Sequence, residues 1–100
     1  MFHAKEYVKA ESLEQAYELN QKKGNCILGG MLWTKMQNRM IQTAIDLCDL
    51  GLNEIEETEE EFLIGAMVSM RQLETDAGLN AYTQGAVRDA VKDIVGVQFR

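Results

Sequence analysis

Few residues of this chain have the types and spacing that could do chemistry, and the most suggestive are two glycines. Gly29-Gly30 follows the short apolar run Cys26-Ile27-Leu28. A doublet that closes a strand could let several backbone N–H groups converge on a diphosphate, because glycine permits positive φ and unobstructed approach. Gly29 and Gly30 would be the donors, with the N–H groups of Met31 and Leu32 as additions. Read from its residues alone, the doublet serves equally well as a plain turn. Other reactive side chains offer less. Cys26 and Cys48 lack CxxC spacing and the single histidine is His3, so no zinc or iron–sulfur signature assembles. Both cysteines are expected as buried thiols in a reducing compartment. Six of the sixteen acidic residues fall between Glu54 and Glu61. Carboxylates paired for acid–base work need burial or convergence, and this run reads instead as a solvated hairpin. No catalytic acid, base or nucleophile is identified.

The elements around the doublet would position it. Residues 3–9, with Tyr7 and Val8, suit a strand. Ser12 and Gln15 form a Ser-x-x-Gln capping box that opens a helix with Leu13, Ala16 and Tyr17 as its apolar stripe. Lys22, Lys23 and Gly24 end it. Cys26-Ile27-Leu28 then supplies a second strand, giving a small βαβ unit with parallel strands. The glycines fall at the carboxyl end of that strand, where open α/β units place ligands. Residues 31–40 are mixed, with room for a helical turn. Ile41 to Leu47 gives a third strand, and residues 49–52 a link.

From Asn53 the character changes. Ile55, Phe62 and Ile64 alternate across a charged tip, which predicts an antiparallel hairpin. Ser69 with Gln72 repeats the capping box and opens a short helix through Glu74. A second helix is predicted over 84–95, with Ala86, Val87, Ala90, Val91, Ile94 and Val95 on one face and Gly96 ending it. The methionines at 31, 36 and 40, and at 67 and 70, are spaced for helical faces and read as gap-filling core. The expected fold class is α+β, divided into residues 1–52 and 53–100.

Net charge and composition exclude several functions. The formal net charge is −6, which argues against a nucleic-acid or anionic-membrane partner. Any bound phosphate must then be held largely by backbone amides and helix ends. No segment approaches the ~20 apolar residues that span a bilayer. The first residues lack the apolar stretch of a secretory signal, and a cytoplasmic location is expected.

Three segments, taken in order, resemble the FAD-binding subunit of molybdenum hydroxylases, the xanthine dehydrogenase and carbon monoxide dehydrogenase flavoprotein family. Ile27-Leu28-Gly29-Gly30 is similar to its leucine-x-Gly-Gly phosphate loop. Ile64-Gly65-Ala66-Met67-Val68-Ser69, continuing to Leu73-Glu74, is similar to its Ile-Gly-Ala strand-to-helix segment. The helix leading into Val97-Gln98-Phe99-Arg100 resembles the approach to its second phosphate loop. Each motif is only moderately specific alone; the combination covers essentially the whole chain. The resemblance implies a small βαβ-type FAD-binding subdomain followed by the start of a second, in a domain roughly twice this length. A chain truncated or processed after residue 100 is therefore expected.

The resemblance further implies FAD as cofactor, held at Leu28, Gly29, Gly30, Met31, Leu32 and Trp33. It implies electron relay between iron–sulfur clusters and an acceptor such as NAD, with iron–sulfur and molybdopterin subunits as partners. The isolated piece would be inactive, and a sheet edge exposed by truncation would favour a homo-oligomer. One departure stands out. Where the family loop continues with polar residues, this chain has Met31-Leu32-Trp33, so no hydroxyl supports the amide donors. Recognition through the backbone alone and a non-catalytic docking module with a degenerate loop are both compatible with that change. Trp33 would either lie beside the cofactor or anchor the core.

Overall fold

The computed structural model describes residues 2–100. Its fold is α+β: a three-stranded parallel sheet, a separate antiparallel pair and four short helices among the described residues. The chain divides between Leu52 and Asn53 into two compact units.

The first unit contains β1 (His3–Lys9), α1 (Leu13–Asn20), β2 (Cys26–Ile27) and β3 (Met40–Asp46), with one 3-10 turn at Thr34–Met36. The sheet order is β1-β3-β2 and both pairings are parallel. Strand β3 is central for a reason visible in its residues. Ile41, Thr43, Ala44 and Ile45 are all buried, as is Leu47 just beyond, the near-continuous burial of a strand covered on both faces. Fully buried Ile41 and Ile45 each contribute ~1.5–3 kcal/mol by leaving water. The periodicity predicts parallel strands, but a sequence pattern carries no strand order. Hence the insertion of β3 between the other two was not legible.

Local starts and stops follow the sequence closely, whereas burial does not. The Ser12 hydroxyl accepts from the Gln15 N–H at 3.1 Å. The Gln15 side chain accepts from Glu11 N–H at 2.6 Å, one residue outside the expected box. Leu13 and Tyr17 are 58% and 68% exposed, against the expected apolar stripe. An eight-residue helix touches the sheet along one narrow line, and Ala16 is its one buried residue. The buried-thiol expectation fails too: Cys26 is half-buried and Cys48 exposed, because Cys48 sits in the turn that follows β3. Met36, Met40 and Met70 are also exposed. They lie in a turn, at a strand start and at a helix start, so none belongs to a helical core face.

The second unit begins with β4 (Ile55–Glu57) and β5 (Phe62–Ile64), paired antiparallel with Ile55 opposite Ile64. Thr58 shapes the tip: its hydroxyl accepts from the N–H groups of Glu60 at 3.3 Å and Glu61 at 3.0 Å. Helix α2 (Met70–Thr75) opens with the predicted capping box complete, both bonds between Ser69 and Gln72 being 3.0 Å.

The helix predicted over 84–95 is corrected. Helix α4 spans only Ala86–Val91 and buries none of its residues. Gly85, at φ 81, blocks extension backwards, and Val95, at φ 51, lies in an irregular stretch after it. Before it lies α3 (Ala77–Tyr82), which periodicity does not announce. Asp76 separates α2 from α3 by a single residue; its carboxylate accepts from Leu79 N–H at 2.8 Å. Asn80 then ties all three helices. Its amide nitrogen donates to the carbonyls of Leu73, Glu74 and Asp76, and its oxygen accepts from Arg88 N–H at 2.8 Å. No helix among the described residues is long and apolar enough to cross a membrane.

Candidate functional site

The parallel sheet brings the carboxyl ends of its three strands to one edge. Leu28 N–H donates to Ile45 O at 2.8 Å and Ala10 N–H to Asp46 O at 2.9 Å. The segments beginning at Gly29, Glu11 and Cys48 therefore all leave from that edge, the usual ligand side of parallel α/β units.

Of the six predicted cofactor residues, Leu28 is an anchor. Its side chain is buried and its amide is committed to β3. Gly29 and Gly30 are exposed, and a Cβ built on either meets nothing within 4 Å. The left-handed residue is not a glycine: Met31 has φ 69, whereas neither Gly29 nor Gly30 has positive φ. The doublet thus supplies open approach, and Met31 supplies the turn. Met31 O then accepts from Lys35 N–H at 2.8 Å and Trp33 O from Met36 N–H at 3.1 Å. These bonds engage carbonyls. Among the described residues, the N–H groups of Gly29, Gly30, Met31 and Leu32 have no protein acceptor. Four consecutive uncommitted amides beside a surface without side chains suit the oxygens of a diphosphate. Trp33 is 61% exposed and so does not anchor the core.

A second cluster leaves the same edge, and sequence reasoning missed it because it joins residues 39 positions apart. The Tyr7 hydroxyl donates to Asp46, whose other oxygen accepts from Cys48 N–H at 2.9 Å. That hydrogen bond is the main reason the Tyr7 hydroxyl is pushed up to about 12. The same bond is the main cause holding Asp46 below the usual carboxylate range. Partial desolvation, with Asp46 and Asp49 nearby, pushes the Cys48 thiol up, which makes it a poor nucleophile at neutral pH. No three metal-ligating side chains come together among the described residues.

The titrations give a stability signature. Asp46 stabilises the fold above its ordinary carboxylate value, and this contribution is lost as pH falls through the depressed folded value. The Tyr7 contribution is complete below its ordinary value of 10.0 and fades as pH rises towards about 12. We expect Tyr7→Phe to be less stable than the native chain by a constant gap near neutral pH. The gap should close below about pH 4 in denaturant titrations; a gap unchanged in acid would contradict the pairing.

Comparison with known proteins follows the same lines. The family model described as "FAD binding domain in molybdopterin dehydrogenase" matches residues 2–100. No curated protein sequence matches significantly. Among solved structures, the chain is similar to the crystal structure of the cyanide-inactivated Cu,Mo-CO dehydrogenase, with a TM-score of 0.82 over all of this chain and 23% identity. It shares that fold while spanning 37% of the matched chain's length.

Proposed function

The chain belongs to the family of FAD-binding domains of molybdopterin dehydrogenases, and from that premise we propose that it is part of a flavin-carrying oxidoreductase subunit. In this reading residues 1–52 form the first FAD-binding subdomain and residues 53–100 begin the second. The loop Gly29–Leu32 holds the pyrophosphate through backbone amides. The observation that carries this is the run of four amides without protein acceptors, at an open glycine doublet on the carboxyl edge of the sheet. When bound, FAD supplies the redox chemistry, passing electrons between iron–sulfur clusters and an acceptor such as NAD. The chain's own contribution is placement. Leu28 fixes the loop to β3, Met31 turns it, and the flanking Leu32 and Trp33 offer apolar surface beside it. The partners on this reading are iron–sulfur and molybdopterin subunits, in the cytoplasm.

A second reading rests on a specific feature. Trp33 and Met36, 61% and 59% exposed, follow a loop with no hydroxyl side chain at positions 31–33, which suits a docking module that has lost its flavin. The flavin content of the complete subunit separates the two. Yellow protein whose visible absorbance is bleached anaerobically by NADH supports the relay; protein that purifies colourless and takes up no added FAD supports the docking module.

A further inference from the structure

Residues 53–100 contain ten acidic residues and four basic ones, and the four basic ones converge. Arg71, Arg88 and Lys92 line a cleft of about 600 Å³ among α2, α3 and α4, with Thr75, Ala77 and Ala81 forming part of its wall. The fourth, Arg100, joins at the edge, donating to Glu74 at 3.1 Å. The carboxylates near the cleft are largely occupied. Glu74 is shared between Arg71 and Arg100, so that trio keeps one net positive charge. Asp76 caps Leu79. Lys92 has an exposed partner, Asp89, at 3.4 Å, a pairing weak enough for a ligand to displace.

Arg88 is different. No carboxylate lies within ion-pair reach of its guanidinium among the described residues. Its backbone is fixed by Asn80, which bonds the Arg88 N–H at 2.8 Å. A planar guanidinium on a pinned backbone favours forked binding to an oxyanion. Three cationic heads around one cleft match a dianion better than a single carboxylate. A polyanion is disfavoured, since six of the acidic residues of this unit lie in the hairpin at 54–61.

The geometry points to an anion site in this cleft, separate from the glycine loop, for a small phosphate-bearing molecule held by Arg88 with Arg71 and Lys92. It requires nothing of the flavin reading, since every lining residue lies within 53–100. The test is a titration of the chain with inorganic phosphate, followed by ¹H–¹⁵N spectra at ionic strength matched with sodium chloride. Saturable shifts are expected at the amides of Thr75, Ala81 and Arg88. Arg88→Ala should weaken them about tenfold, the loss of one charge-assisted contact, and Lys92→Ala should weaken them less. Gly30→Val should leave them unchanged. Shifts reproduced by chloride, an unchanged affinity in Arg88→Ala, or shifts confined to residues 29–32 would each overturn the site.

Discussion

Glu74→Ala is expected to destabilise the chain by about 3 kcal/mol, the lower end of what breaking a buried ion pair costs. Glu74 and the Arg100 side chain are only 8% and 11% exposed. Arg100 is held at several points: its guanidinium also donates to the carbonyls of Ile94 at 3.3 Å and Val95 at 3.2 Å. Its carbonyl accepts from Arg71 N–H at 2.7 Å. Its Nε is buried without a hydrogen-bond partner. Removing the carboxylate therefore strands a guanidinium that cannot easily return to water. Arg71, at 53% exposure, can resolvate, which keeps the cost near the lower end. The double variant Glu74→Ala with Arg100→Met removes the stranded charge as well. It should recover a large part of the loss in urea titrations. A double variant as unstable as the single one would show that packing, and not charge, sets the cost.

The glycine loop gives the opposite pattern, a large effect on binding with little on folding. Gly29→Val and Gly30→Val are expected to weaken FAD by about 10- to 100-fold, the loss of one or two charge-assisted amide bonds. The fold should tolerate both changes. Neither glycine has positive φ, and a Cβ at either position meets nothing within 4 Å. Any non-glycine residue there even restricts the unfolded chain, a gain of ~0.4–1 kcal/mol for alanine at compatible sites. Thermal unfolding and flavin fluorescence titration of each variant measure the two quantities separately. Loss of binding through loss of fold would argue against a role in approach.

What the sequence made legible was local. Ser12 and Ser69 opened their helices because a capping hydroxyl is a property of a few adjacent residues. Ile55, Phe62 and Ile64 revealed the hairpin through alternation. The α+β class and the family both followed from such short signals. Burial was read poorly. Leu13, Tyr17 and Met40 are apolar by type, yet a unit of this size has too little interior to cover them. Helix α3 stayed hidden because Asp76 is at once the end of one helix and the cap of the next.

Long-range chemistry was the least visible. The bonds from Tyr7 to Asp46 and from Arg100 to Glu74 depend on register and chain return, which no spacing encodes. At the glycine loop the residue types were legible but their division of labour was not. The left-handed turn falls on Met31, and the doublet itself contributes room.

The most direct measurement is a ¹H–¹⁵N titration of the chain with FAD, reading the amides of residues 29–32. We predict that the Gly29, Gly30, Met31 and Leu32 signals shift together and saturate, and that Gly30→Val abolishes the response without unfolding the protein. Four signals that stay fixed while FAD moves others, or moves none, would contradict diphosphate binding by this loop.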